Sequence, residues 1–368
     1  MGPKTYLVKN HLNFETIENL EISSGLLDNM VYLDFFCSPI GLGHATRDIA
    51  ITKQFQDISV KFVTGNGAAK IIRDSNFDVN DLYKPPNFMV KDGKLKSPVK
   101  WLWNYYQYYK ECKKISKRII EKDNPRIILS DEDFASLSIA QEKNIPTVLI
   151  TDILETRFVK GFGSFVEKKM NKSMQNIIEK CEMVILPEFG ESHDNIKRVG
   201  PIVRHTEYSR DELRKKFAFE KEVVLVSIGG TDAGLFLIEK TLETIKKMNK
   251  DIEVVIVSGP SLQKNFGENI RNLGYVKNLH ELIYASDVLI SLAGKSTIDE
   301  AKAYGTPSIF IPIKGHFEQE DNAREEGFGF EDIFNLEMLI LEKLKEKRMP
   351  VYSEGASRAA KLITGLIN

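Results

Sequence analysis

Short β-branched runs alternate with helically spaced apolar positions from residue 30 to the end of the chain. This rhythm predicts an α/β protein with two parallel-sheet domains. Strands are expected at 31–37, 60–64, 126–129, 147–151 and 183–186 in the first half, and at 223–228, 253–257, 288–291 and 308–311 in the second. A Gly200-Pro201 turn after the last strand of the first half marks the boundary. The expected division is therefore an extension over 1–29, domains over 30–203 and 204–350, and a final helical segment over 351–368. That last segment sets Ala359, Ala360, Leu362 and Ile363 on or near one face.

Polar residues concentrate where these strands end. The segment from Ser291 to Pro312 reads as strand, small-residue loop, helix and strand. Gly294 precedes the helix, and Ser296 and Thr297 open it, so their amides and hydroxyls can meet a phosphate at the positive end of the helix dipole. Glu300 follows one turn later, placed to accept hydrogen bonds from a ribose diol. An ordinary βαβ unit with a Ser/Thr cap reads the same way over this first part. The Glu318-Gln319 pair, with Asn322-Ala323 at the expected start of the next helix, has no evident packing role. In the first half, Ser38-Pro-Ile-Gly-Leu-Gly-His44 leaves a strand, with a helix expected from about Ala45. Gly41 and Gly43 permit a tight turn, and His44 is presented at the carboxyl edge of the sheet, where open α/β folds bind ligands. A dinucleotide fingerprint fits poorly, because Thr46 replaces the third glycine and 64–67 lacks the ribose-binding acid.

Asp131 and Asp133 are expected just past the 126–129 strand. A carboxylate there can orient an imidazole and stabilise its protonated form, with Asp131 the better placed. Alternatively these acids cap the helix starting near Phe134, the preferred role for Asp133. The Asp-x-Asp spacing alone is a weak divalent-metal signal. A second glycine turn, Ser227-Ile-Gly-Gly230-Thr231-Asp232, brings amides and a hydroxyl towards a diphosphate from the other side. The backbone of Gly274-Tyr-Val276 can meet a base edge.

Composition narrows the class without naming it. The 368 residues suffice for two cores, and 42% hydrophobic with 28% charged residues describes a soluble globular chain. The net charge of −1 gives no global reason to expect nucleic acid. Three scattered cysteines match no zinc or disulfide framework and suit a reducing, cytoplasmic setting. No apolar run is long enough to span a bilayer, so membrane contact is expected to be peripheral. One stretch, 91–118, interleaves lysines with aromatics, among them Lys100, Trp101, Trp103, Lys113 and Lys114. Such a mixture suits an anionic membrane surface. It also suits a helix with aromatics inside and lysines in solvent, or stacking on single-stranded nucleic acid.

Taken in order, the Gly-x-Gly-His44 loop, the Gly-Gly230-Thr231 turn, the Gly294–Glu300 segment and the Glu318-Gln319-x-x-Asn-Ala run resemble the GT-B glycosyltransferases. The likeness is strongest to the MurG-type N-acetylglucosaminyl transferases and related enzymes of lipid-linked glycan assembly. It covers nearly the whole chain after Met30 and implies a UDP-sugar donor. It implies that Glu300 binds ribose, Ser296 and Thr297 the diphosphate, Val276 the uracil, and Glu318 and Gln319 the sugar hydroxyls. It also implies a C-terminal helix crossing back onto the first domain. The Ser38–His44 loop has fewer glycines than the MurG type, and the loop at 314–320 is a residue shorter. The His44 and Asp131 pairing is closer to plant-type glucosyltransferases, and UDP-sugar hydrolases of the pseudaminic pathway carry a similar Gly-x-Gly-His-x-x-Arg loop. The expectation is an inverting, UDP-sugar-dependent hexosyltransferase without an obligatory metal, acting on a lipid-linked or glycan acceptor. A UDP-sugar hydrolase, an epimerase and a non-catalytic nucleotide-binding subunit are the alternatives.

Overall fold

A computed structural model describes residues 31–367 apart from 160–163, 231, 249, 261, 263, 268 and 269. The 1–29 extension and Thr231 therefore lie outside the described residues. The first sheet is built from β1 (Val31–Cys37), β2 (Ile58–Thr64) and β3 (Asp78–Asp81), then, after a small β4 (Met89–Lys91) and β5 (Lys94–Lys96) hairpin, from β6 (Ile128–Asp131), β7 (Thr147–Ile150), β8 (Met183–Leu186) and β9 (Ile196–Arg198). Its order is β3-β2-β1-β6-β7-β8-β9, with each neighbouring pair parallel. The chain reverses direction across the sheet between β1 and β6, and such a switch point opens a crevice at the carboxyl ends of the strands. Strands β6, β7 and β8 are buried throughout, which is why they read as unbroken apolar runs rather than alternating ones. The helices of this half are α1 (Gly43–Thr52), α2 (Asn66–Asp74), α3 (Pro98–Asp123), α4 (Phe134–Glu142) and α5 (Ser164–Ile178).

The second sheet contains β10 (Glu222–Ser227), β11 (Ile252–Val257), β12 (Arg271–Asn272), β13 (Val288–Leu292) and β14 (Ser308–Ile311) in the parallel order β12-β11-β10-β13-β14. Its switch point falls between β10 and β13. Around it lie α6 (Arg210–Lys216), α7 (Leu235–Lys247), α8 (Leu279–Ala285), α9 (Lys295–Tyr304), α10 (Phe317–Glu325) and α11 (Leu336–Lys343). The last helix, α12 (Gly355–Ile367), inserts Ala356, Ala359, Ala360 and Ile363 into the core of the first domain beside β1 and α1.

Two features depart from the sequence expectation. The short β9 extends the first sheet beyond Met183–Leu186, which does not close it. The β4–β5 hairpin, though it belongs to the first half, places Val90 and Leu95 against the core of the second sheet. The Leu95 amide donates to the Lys314 carbonyl and the Lys314 amide to the Gly93 carbonyl, each at 2.9 Å. The hairpin is thus a clasp across the cleft.

Candidate active site

Strand register assembles the first-domain side of the cleft. Cys37 on β1 lies opposite Asp131 on β6, and the Ser38 amide donates to the Asp131 carbonyl at 2.8 Å. The loop leaving β1 turns through Gly41, whose φ of 83° favours glycine. Helix α1 then starts at Gly43, two residues earlier than expected, so His44 and Arg47 share one face at i, i+3. His44 Nδ1 lies 2.8 Å from Asp131 Oδ1. Arg47 holds the same carboxylate with Nε on Oδ2 and Nη2 on Oδ1, each at 2.5 Å, and its Nη1 reaches Asp152 at 2.6 Å. Asp131 is the last residue of β6, fully buried, not a loop residue beyond the strand. Asp133 caps α4, accepting from the amides of Ala135 and Ser136.

Arg47, Glu132, Asp152 and Asp48 belong to this cluster, and the sequence reading gave none of them a role. Burial lowers the proton affinity of His44, but the Asp131 and Glu132 carboxylates outweigh it and raise the imidazole to about 9. Burial raises Asp131, yet Arg47 and His44 hold its carboxyl well below the usual range. Behind it, Asp48 is pushed well up from the usual carboxylate range by burial and by the Asp131 charge. Ligand-capable atoms of His44, Asp131 and Glu132 lie within 4.8 Å of one another. Arg47 neutralises the Asp131 carboxylate.

Across the cleft, Ser227 on β10 sits opposite Ser291 on β13, which aligns the Gly229-Gly230 turn with the loop entering α9. Gly294 is the N-cap of α9, with no side chain capping that end, and Lys295 and Ser296 open the helix into the cleft. Thr297 also lines the cleft, but its amide is already donated to the Gly294 carbonyl at 3.1 Å. Only its hydroxyl remains of the two groups expected to reach a phosphate. The two domains are close here. A Cβ on Gly43 would sit 2.8 Å from Ser296 Oγ, and one on Gly230 would sit 2.9 Å from Leu42 Cγ.

Glu300 is buried, and both its oxygens accept from Arg204, at 2.7 and 3.2 Å. Arg204 also donates to the Lys277 carbonyl at 2.8 Å, next to Val276, which lines the cleft. The expected ribose carboxylate is therefore held by a guanidinium from the segment joining the domains. Glu318 and Gln319 lie in the first turn of α10, which starts at Phe317, so Asn322-Ala323 falls within that helix and not at its start. Glu318 faces the cleft. Burial, Glu132 and Asp152 raise it to about 7. Gln319 also lines the cleft, while its Oε1 accepts from the Ile313 amide at 3.0 Å.

These walls enclose a cleft of about 1110 Å³. The aromatic-basic stretch contributes only part of its sequence to it. Trp101 is not a surface anchor: it is buried, stacked on Phe88 at 4.4 Å and Tyr105 at 5.2 Å, with Nε1 donating to the Pro86 carbonyl. Lys113 is tied to Glu142 at 2.8 Å and Ser138 at 3.0 Å, and Lys114 to Glu111 at 2.7 Å. Lys100 and Trp103 are exposed. Trp103 is 63% exposed and lies on the cleft wall beside Val99, with Val166 and Met170 of α5 lining the same cleft.

Two facing switch-point crevices, with the His44–Asp131 pair on one side and an uncapped helix N-terminus on the other, form the two-domain GT-B architecture. Residues 223–361 match the glycosyltransferase family 28 C-terminal domain. An uncharacterized glycosyltransferase of Methanopyrus kandleri is 29% identical over 279 residues, covering 68% of this chain and 79% of that protein. The UDP-N-acetylglucosamine–N-acetylmuramyl-(pentapeptide) pyrophosphoryl-undecaprenol N-acetylglucosamine transferase of Aquifex aeolicus is 25% identical over 282 residues, 73% of this chain and 76% of that protein. Among solved structures, the glycotransferase of kitacinnamycin superposes with a TM-score of 0.66 at 13% identity, covering 92% of this chain and 100% of that one. MurG of Acinetobacter baumannii gives 0.52 at 13% identity, covering 91% and 99%. Both show the fold.

Proposed function

We propose that this glycosyltransferase moves N-acetylglucosamine from UDP to a hydroxyl of a lipid-linked acceptor, with inversion at the anomeric carbon. The observation that carries this reading is the apposition of Gly43-His44 with Ser296 across the cleft, which puts the dyad opposite the α9 N-terminus. The acceptor hydroxyl gives its proton to His44 Nε2, and its oxygen forms a bond to the anomeric carbon from the face opposite the diphosphate. The bond from that carbon to the diphosphate oxygen breaks, and the electron pair leaves with UDP. Asp131, held ionised by Arg47, orients the imidazole and stabilises its charged form. The free amides at the start of α9, the Ser296 and Thr297 hydroxyls and the Lys295 ammonium receive the departing charge, so no metal is required by the proposal. The Gly229-Gly230 turn closes the opposite side of the diphosphate.

Transfer is favoured over hydrolysis by the apolar wall of Val99, Trp103, Val166 and Met170, since water as acceptor needs no such surface. Among the described residues no helix is long and apolar enough to cross a membrane. Exposed Trp103 and Lys100 suit peripheral contact with an anionic cytoplasmic leaflet, where a lipid-linked acceptor is presented. The test is turnover: UDP-N-acetylglucosamine with polyprenyl-diphosphate-linked acceptors should release UDP and extend the acceptor. Release of free sugar at the same rate without acceptor would establish hydrolysis instead, and C2 inversion of the donor would establish epimerisation. UDP binding with neither would leave a non-catalytic subunit.

A further inference from the structure

Among the described residues, Asp131 is one of two whose carboxylates approach a His44 ring nitrogen closely, at 2.8 Å, with Glu132 at 3.7 Å. Glu132 follows it at the end of β6 with φ 54°, a left-handed conformation that a non-glycine residue adopts only when its surroundings hold it there. What holds it is visible. Its Oε1 accepts from Thr151 Oγ1 at 2.9 Å and from the Asp152 amide at 3.0 Å. The other oxygen, Oε2, is left 3.7 Å from His44 Nε2, on the ring nitrogen that Asp131 does not touch. That distance is too long for a hydrogen bond, so Nε2 remains open to an acceptor hydroxyl.

We propose that Glu132 is a positioning residue for proton transfer, fixing the His44 imidazole electrostatically from its Nε2 side and setting the pH above which the enzyme turns over. The proposal rests on the reading that His44 takes the acceptor proton. Every charged group around the pair bears on it. Asp131 on β6 and Arg47 on α1 form the buried side, Asp152 follows β7, and Glu318 comes from α10 across the cleft. Tyr105 of α3 completes the surroundings. Arg47 pairs with Asp131 and Asp152, its Nη2 lies 3.1 Å from His44 Nδ1 on the side away from Glu132, where its charge opposes protonation, and it reaches Glu132 only at 3.8 Å. Glu132 is therefore the carboxylate that acts on the open side of the ring. After Asp131, it adds to the charge that keeps the proton on His44 and stabilises the imidazolium once the acceptor proton has arrived.

The experiment is an NMR titration of the histidine ring resonances in the full chain, with His44 assigned among the six histidines by its loss in His44→Gln. In Glu132→Gln, which keeps an oxygen for Thr151 and Asp152 but removes the charge, the His44 midpoint should fall by about one pH unit or more. Glu132→Asp, which draws the charge back by one methylene, should lower it by a smaller step and serves if the glutamine variant does not fold. Midpoints in both variants that coincide with the wild type overturn the proposal. The acid limb of kcat/KM should move the same way as the NMR midpoint while UDP affinity stays constant. Because the titration needs no turnover, its failure is distinguishable from failure of the proposed reaction.

Discussion

Glu300 offers the sharpest test of the donor site, because the structure changes which substitution is informative. Alanine at this position would leave Arg204 buried without its carboxylate. Breaking one side of such a pair costs about 3–5 kcal/mol, so lost UDP binding in that variant would report instability as readily as a missing ribose contact. Glu300→Gln keeps the volume and one oxygen for Arg204 Nε, which lies 2.7 Å from Glu300 Oε1. What it removes is the charge on an acceptor whose remaining lone pairs face the cleft. Losing charge-assisted hydrogen bonds to a ribose diol amounts to about 1–3 kcal/mol, which raises the Kd for UDP about 5- to 150-fold. Calorimetry with UDP, run beside thermal unfolding to establish that the variant is folded, reads this directly. A 2′-deoxy-UDP titration supplies the second arm of the cycle, since it should bind wild type more weakly than UDP and bind the variant with little further loss. Equal UDP affinity in folded Glu300→Gln and wild type would remove Glu300 from the ribose site and leave the Arg204 pair as a structural tie between the linker and α9.

His44→Ala should lower turnover about a hundred- to ten-thousandfold while UDP still binds, because the proposed donor site lies on the other domain; retained turnover in a steady-state assay refutes the base assignment. The pH profile has a definite sign. Burial opposes the charge on His44 but Asp131 and Glu132 raise it to about 9, so kcat/KM should climb from neutral pH through about 9 as the base form appears. The stability that the charged imidazole contributes is complete below its ordinary value of 6.5 and is lost as the pH rises through about 9. Differential scanning calorimetry of wild type against His44→Gln across that window checks it. The two tryptophans should separate cleanly in vesicle flotation: Trp101→Ala destabilises the fold by about 3–5 kcal/mol, whereas Trp103→Ala leaves the melting temperature nearly unchanged and weakens binding to anionic vesicles.

The parallel strands were legible because burial on both faces forces unbroken β-branched runs, and the glycine turns were legible because only their backbones tolerate close approach at the cleft. Short elements were not. Strand β9 and the β4–β5 hairpin have three residues each, too few to show a period, and the hairpin packs against a sheet more than a hundred residues away in sequence. Arg47 carried a readable signal, three residues after His44 on a helix, but its partner Asp152 is fixed only by the tertiary neighbourhood of β6 and β7. Glu132 carried none, since the left-handed backbone that aims it is imposed by the hydrogen bonds at Thr151 and Asp152. Trp101 was misread for a related reason: spacing along α3 places aromatics on its surface, but only contacts with Phe88 and Phe158 decide which of them point inward.

The distribution of charge in the cleft gives the donor a direction. Glu132, Asp152 and Glu318 converge on the His44 side, and their mutual repulsion is visible in Glu318, raised to about 7 by burial and by those two neighbours. A diphosphate would be repelled there. On the other wall the uncapped N-terminus of α9 and Lys295 attract it. Lys295 is itself paired with Asp299, so its ammonium is positioned before any donor arrives. A donor bound as proposed would have its sugar between the diphosphate and the acidic wall, where its hydroxyls can donate to Glu318. In the proposed reaction the same polarity keeps His44 beside the acceptor rather than the leaving group, as inversion would require. Glu318→Gln should therefore weaken binding of the nucleotide sugar relative to UDP alone, a difference that parallel calorimetric titrations with the two ligands resolve. Equal loss for both ligands would place Glu318 outside the sugar subsite.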